Sequence, residues 1–198
     1  MNPPGDEIRV YPASADRFDD LATMLAPKNP AAFGCWCLSY RIAPRINQRL
    51  SPEERRSCAN ELTTRPVPPG VLAYQSGVVV GWAAVAPRQQ VHALTHNTHL
   101  PLVDVLPVWS IWCIKVRPGH RGQGITRGLI LGAVEFARSH GAPAIEAYPV
   151  DNAGKRIDTT LAFIGTRSMF ESAGFAKIAD TESTSARIPR IIMRRELS

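Results

Sequence analysis

The run Val108-Trp-Ser-Ile-Trp-Cys-Ile-Lys-Val116, continued by Arg117-Pro-Gly-His-Arg-Gly-Gln-Gly-Ile-Thr-Arg-Gly-Leu129, decides how this chain is read. Its first nine residues are apolar on both faces, the mark of a strand covered on two sides. The strand ends at Arg117-Pro118-Gly119, and a glycine-rich turn opens directly into a helix. That helix is expected over residues 124–140. Ile125, Leu129, Ala133 and Ala137 form one stripe, Ile130 and Val134 lie beside it, and Gly141 and Pro143 stop it. Glycines let backbone approach a ligand, and a helix start presents free N–H groups with a partial positive charge. Strand, turn and helix together make an anion site suited to a pyrophosphate.

The charges around the turn agree. The chain of 198 residues carries 23 basic and 17 acidic side chains, a net of +6. Lys115, Arg117, Arg121 and Arg127 all fall between Asp104 and Glu135, with no acid in between. Two familiar phosphate motifs fit poorly. Gly119 to Thr126 has a P-loop outline, but Ile125 stands where that chemistry needs lysine. Gly122-x-Gly124-x-x-x-Gly128 approximates a dinucleotide fingerprint. Too little chain follows for that fold, and Glu146 sits inside its strand rather than at the end where a ribose is met.

Working outward, strands are expected at 8–11, 71–74, 78–85, 144–150, 176–181 and 190–195. A first helix is expected from a Ser14 cap through Phe18, Leu21, Ala22 and Leu25. A second begins at Ser51-Pro52-Glu53-Glu54, with cap, first-turn proline and capping-box glutamate. A late helix is expected at 160–173, stopped by Gly174. The segment 33–41 is aromatic without a period, and 88–107 is a long connection carrying His92, His96 and His99. The resulting class is α/β: one domain over 1–198, a central mixed sheet flanked by helices. Hydrophobic content of 44% against 20% charged residues excludes a disordered chain. Residues 1–10 lack the apolar run of a secretion signal, and no stretch reads as a membrane span, so a cytoplasmic protein with reduced cysteines is expected.

Arg121-x-x-Gly124-x-Thr126, after a strand ending in Val-x-Pro, resembles the acyl-CoA turn of the GNAT superfamily of N-acyltransferases. Thr126 stands where that family has Gly or Ala. Met169-Phe-Glu-Ser-Ala-Gly-Phe175 is similar to the family's late helix ending in Gly-Phe. The resemblance implies acyl-CoA, most simply acetyl-CoA, as co-substrate and direct transfer to an amine without a covalent intermediate. It implies that the backbone of Ile114, Lys115 and Val116 holds the pantetheine arm. It gives the pyrophosphate to Arg121, Gly122, Gln123, Gly124, Ile125 and Thr126. Residues 1–107 would supply the acceptor side, 108–175 the acyl-CoA core and 176–198 the closing strands. The family often has a proton-donating tyrosine just before the late-helix glutamate; here that position is Phe170. Tyr148 or Ser168 are the substitutes, or no acid is used. For the base, Glu146 inside an apolar strand is the leading carboxylate, Asp151 the next, and Ser110 can only position water. A non-catalytic acyl-CoA-binding or sensor module of the same fold is the alternative.

The remaining features read as bland or secondary. Cys35-Trp36-Cys37 with Cys113 and the histidine loop lacks a second pair at metal spacing, so no metal is expected and the thiols read as packing groups. The histidine loop reads as surface or as a lid over the acceptor site. Trp36, Tyr40 and Arg41 fall in the region expected to shape the acceptor pocket. Arg187, Arg190, Arg194 and Arg195 lack interleaved aromatics, which argues against nucleic acid. The expected partner is a small-molecule or peptide amine, with no membrane, for a monomer or homodimer.

Overall fold

Along the strands successive side chains fall on opposite faces, and the protein builds one core on each. In the computed structural model, which describes residues 7–155 and 163–197, Val71 and Ala73 enter one core while Leu72 between them enters the other. The sheet has seven strands in the order β1-β2-β3-β4-β5-β7-β6. They are β1 (Arg9–Pro12), β2 (Gly70–Gln75), β3 (Val78–Pro87), β4 (Trp109–Val116), β5 (Ala144–Ala147), β6 (Ala176–Ser185) and β7 (Ile188–Glu196). Every neighbouring pair is antiparallel except β4 and β5, which a helical crossover makes parallel.

One face is covered by α6 (Ile125–Ser139) and α7 (Arg167–Glu171), through Leu129, Ile130, Ala133, Ala137 and Phe170. The other is covered by the first half of the chain. There α1 (Phe18–Leu25), α2 (Leu38–Arg41), α4 (Pro52–Thr63) and α5 (His92–Thr95) pack on Leu72, Trp82, Ala84 and Trp112, with α3 (Pro44–Asn47) beside α2. This is the expected α/β class, one mixed sheet between helices.

Several boundaries differ from the sequence reading, each for a local reason. Ser14 caps no part of α1: its Oγ donates to Asp16 at 2.5 Å, and a 3-10 turn over Ala15–Arg17 precedes the helix. The capping box at α4 forms as expected, with Glu54 N–H donating to Ser51 Oγ and Ser51 N–H to Glu54 Oε2. The strand after α6 ends at Ala147, and Val150 keeps only isolated bridges to Thr166 and Arg190. The late helix starts at Arg167, because Gly165 at φ +81° and the Thr166 bridge hold the chain extended before it. Its expected start at Thr160, like every reading placed on residues 1–6 and 156–162, lies outside the described residues. The closing strands are longer than expected, since each extends the other's ladder to the Ala186–Arg187 turn.

Candidate active site

The glycine-rich turn forms as its composition demands. Gly119, Gly122 and Gly124 hold φ values of +88°, +76° and +80°, a conformation that L side chains rarely adopt. A Cβ at Gly119 or Gly122 would meet nothing within 4 Å, so the backbone angle and not the space selects glycine there. Gly124 is the N-cap of α6 and offers no side-chain cap, which leaves the first-turn N–H groups without a partner from their cap residue. The macrodipole of this 15-residue helix adds its positive end at the same spot.

The strand before the turn is opened on one side. β4 pairs with β5 only through Trp109, Ser110 and Ile111, whereas its pairing with β3 continues to Val116. Beyond Ile111 the two parallel strands part. A bulge accompanies the parting: the register steps from Val85↔Ile111 to Ala84↔Cys113 and skips Trp112. Trp112 and Cys113, although adjacent, therefore both pack on the core of the first-half helices. Within the gap, Ile114 N–H donates to the Phe163 carbonyl at 2.8 Å.

A cavity of about 800 Å³ runs along this gap. At one end it is lined by His120, Arg121, Gly122, Gly124, Ile125, Thr126 and Arg127; along its side by Ile114, Lys115 and Val116. At the other end stand Leu25, Cys35, Trp36, Cys37 and Cys113, and Phe163, Gly165, Met169 and Ser172 close it from α7 and the chain before it. Eight of the nine residues expected to hold the arm and the pyrophosphate thus share one cavity; the ninth, Gln123, turns its amide back to the Gly119 carbonyl, and Ser168, expected beside the cofactor as a substitute donor, bonds Thr166 and does not line the cavity. Of the four basic residues near the turn, Lys115, Arg121 and Arg127 line it, the Lys115 ammonium donating to the Met24 carbonyl at the end of α1. Arg117 instead donates to the Val79 carbonyl on β3.

The three sequence-derived catalytic residues meet one another but do not line the cavity. The Tyr148 hydroxyl donates to Glu146 Oε2 at 2.9 Å and stands 3.0 Å from Ser110 Oγ. Tyr148 has one proton, given to Glu146, so Ser110 is the donor in the second bond. Arg194 grips the other Glu146 oxygen through Nε and Nη2, at 3.2 and 2.7 Å, and reaches Asp104 at 2.6 Å. Burial, with the Glu146 charge beside it, pushes the Tyr148 phenol up, so it remains a neutral donor. Glu146 is thus the ion-paired carboxylate of a buried network, and Asp151 is likewise held, by Arg167 at 3.2 Å.

Trp36 and Cys37 take positive φ values of 47° and 54°, and the chain carries their side chains into the cavity wall. Such conformations cost roughly 1–3 kcal/mol each in non-glycine residues. Cys37 Sγ accepts the Trp82 indole N–H at 3.1 Å; the neighbouring Cys113, with this bond, lowers the Cys37 pKa despite burial, while Cys37 and burial push the Cys113 thiol up. Arg41 lies over the Trp112 ring at 4.8 Å, and burial lowers its pKa to about 10. No residue between 88 and 107 lines the cavity; His92 and His96 stack on each other. Among the described residues no group of three His, Cys, Asp or Glu side chains is placed to hold a metal, and no helix is long and apolar enough to cross a membrane.

Of the wall at Leu25, Cys35, Trp36, Cys37 and Cys113, the sequence points to Trp36, expected with Tyr40 and Arg41 to shape the acceptor pocket; Tyr40 and Arg41 do not line the cavity, and Leu25 and Cys113 carry no sequence signal for it. The Cys37 bond to Trp82 joins segments 45 residues apart and has no local signature.

A splayed strand pair, a left-handed glycine turn and a helix start around one elongated cavity define a class. The model of the acetyltransferase (GNAT) family matches residues 32–156, well over half of the chain, and the chain belongs to that family. Solved structures show the same fold throughout. A GNAT-family acetyltransferase from Streptococcus pneumoniae aligns with a TM-score of 0.54 at 14% identity, over 97% of this chain and 100% of that one. The ribosomal-protein-S18-alanine N-acetyltransferase of Escherichia coli gives 0.52 at 14%, over 97% and 95%. The PaiA N-acetyltransferase of Thermoplasma acidophilum, solved with coenzyme A, gives 0.52 at 11%, over 96% and 99%. No match was found among curated proteins.

Proposed function

We propose that this chain moves an acyl group, acetyl in the first instance, from acyl-CoA directly to an amine within a ternary complex. One observation carries the reading: a single cavity joins the anion-binding turn, the open edge of β4 and the face built by the first-half helices. In this reading residues 108–175 hold acyl-CoA, residues 1–107 shape the acceptor side and residues 176–198 close the sheet. The N–H groups of Arg121 to Thr126 hold the pyrophosphate, with Arg121 and Arg127 neutralising charge. Ile114 and Val116 lie two apart and turn their backbone toward the same edge, where an extended pantetheine arm adds as a strand. Fixing both reactants in one cavity supplies a large share of the rate. Ser110, Tyr148 and Glu146 form a buried donor chain ending in a carboxylate, and we assign to it the proton leaving the amine, relayed through water.

A second reading, an acyl-CoA-binding module without turnover, has a specific observation behind it. Phe170, fully buried against Phe175, fills the position from which the family's tyrosine protonates the thiolate. Free-thiol release from acetyl-CoA, measured across small-molecule amines, peptide N-termini and lysine, separates the two. Release with at least one amine is the expected result. CoA binding without release from any of them overturns the enzyme reading in favour of the module.

A further inference from the structure

We propose that the amine acceptor is aromatic and uncharged at neutral pH, and that it is seated against Leu25, Trp36, Cys37 and Cys113 at the far end of the cavity. The assignment rests on the acyl-CoA reading above, which puts the pyrophosphate at the glycine turn and the pantetheine arm along Ile114 to Val116. The course of β4 then fixes where the thioester arrives. An arm that leaves the turn and passes Val116 and Ile114 next meets Cys113, which lines the cavity together with Leu25, Trp36 and Cys37.

That end is built from apolar parts of three separate stretches. Leu25 ends α1, Trp36 and Cys37 precede α2, and Cys113 belongs to β4. Packing fixes the middle pair. The Trp36 ring stacks on Phe18, with centroids 6.3 Å apart and planes 11° apart, and Cys37 Sγ accepts the Trp82 indole N–H. The left-handed backbone at Trp36 and Cys37 is strain retained in two residues of a cavity wall, the kind of place where strain accompanies function. Phe163 and Met169 add apolar lining from the α7 side while 43% and 36% exposed, surface that an apolar ligand covers.

Charge decides the kind of amine. Among the described residues no carboxylate lines the cavity, and Glu146 and Asp151 are held by Arg194 and Arg167 outside it. Two cations of the surrounding elements are already bonded. The Lys115 ammonium donates to the Met24 carbonyl next to Leu25, and the Arg41 guanidinium on α2 donates to the Pro69 carbonyl at 2.7 Å. An ammonium entering this end sheds its water and meets no counter-charge, a cost that a neutral amine avoids.

An aromatic amine meets that condition, because its nitrogen lone pair is shared with the ring and stays unprotonated at neutral pH. Its ring suits an indole wall. Its nitrogen attacks the thioester without first losing a proton. The N–C bond forms, the C–S bond breaks with its electron pair on the CoA sulfur, and one N–H proton leaves through water.

The test compares 4-methylaniline with benzylamine, isomers that differ in charge at neutral pH, and with spermidine as a polycation. Binding to the whole protein saturated with CoA is measured by calorimetry, which needs no turnover, and thiol release from acetyl-CoA is followed in parallel. Expected is at least about tenfold tighter binding of 4-methylaniline than of either cation. Trp36→Ala should weaken that binding by about tenfold, with CoA affinity within about twofold. Cys35 lines the same end and is exposed, so Cys35→Asp adds a carboxylate without burying it and should strengthen benzylamine binding by about threefold. Benzylamine or spermidine binding the wild-type protein as tightly as 4-methylaniline overturns the proposal. That comparison needs no variant, so misfolding of a substituted chain does not protect it. Preference for hexanoyl-CoA over acetyl-CoA with no arylamine binding gives the wall to the acyl chain and also overturns it. Tight arylamine binding without thiol release from any amine overturns the acyltransferase reading alone and supports the arylamine site, whereas absence of CoA binding overturns both.

Discussion

Tyr148 is the residue whose removal asks the sharpest question, because phenylalanine keeps its ring and deletes one proton with two bonds. The variant leaves Glu146 held by Arg194 and Ser110 without its partner, and a stability loss of about 1–3 kcal/mol is expected from urea unfolding. If the buried chain carries the amine proton, Tyr148→Phe also lowers turnover by about 10²-fold at unchanged CoA affinity. Unchanged turnover would remove that role and leave the network structural. Glu146→Gln is the harsher change, since it strands the nearly buried Arg194 with Asp104 and, at 4.0 Å, Glu196, both far more exposed than Glu146. The same acid sets a pH dependence. Its hydrogen bond to Arg194 holds the Asp104 carboxyl below its usual range, so its contribution is present above about pH 4 and lost as pH falls through the depressed value. Asp104→Asn should flatten the loss of stability between pH 5 and pH 2, measured by urea midpoints, by about one titrating group. At this scale the sequence showed Glu146 as an acid in an apolar strand. Its partner Arg194 was invisible, because the β5–β7 pairing that sets Glu146 against Arg194 joins positions 48 residues apart.

Among the elements, α6 is the one seated most closely on the sheet. Gly132 faces β1, and a Cβ there would lie 2.3 Å from Val10 Cγ1 and 2.7 Å from its Cβ. Alanine would gain about 1 kcal/mol in helix propensity, but overpacking against a strand side chain costs about 1–3 kcal/mol, so Gly132→Ala is expected to destabilise. Gly128→Ala meets Ile8 Cγ2 at 3.0 Å, a gap that a few tenths of an ångström relieve, and should be nearly neutral or stabilising. Equal urea midpoints for the two variants would contradict this ranking. Helix α6 was legible in full because its apolar stripe and its glycine stops are local signals. The β4 bulge was not, since a skipped residue shows only against the partner strand. The late helix shrank for a related reason: 160–173 carries helix-compatible residues, but Gly165 and the bridge at Thr166 override propensity just before Arg167.

For the whole molecule, the order of strands and longer helices and the class of fold could be read along the chain, whereas the one-turn helices α2, α3 and α5, the sheet order and most of the far wall of the cavity required the folded contacts. The net charge of +6 has a definite location in part: Arg121 and Arg127 line the cavity at the turn. CoA affinity should therefore fall as salt rises, and Arg121→Ala should weaken it by about tenfold while flattening that dependence. An affinity indifferent to both salt and Arg121 would place the polyanion elsewhere. The parting of β4 from β5 has a thermodynamic consequence as well. Beyond Ile111 the open edge of β4 has the Ile114 bond to the Phe163 carbonyl in place of a ladder with β5, and a bound extended arm would add backbone bonds at a place that only the native chain offers. Folding and ligand binding are then linked: the melting temperature should climb with the logarithm of acyl-CoA concentration, by about 2.7 kcal/mol of added stability at a hundredfold excess over Kd. The gap in the sheet makes the protein's own stability a gauge of how much acyl-CoA surrounds it.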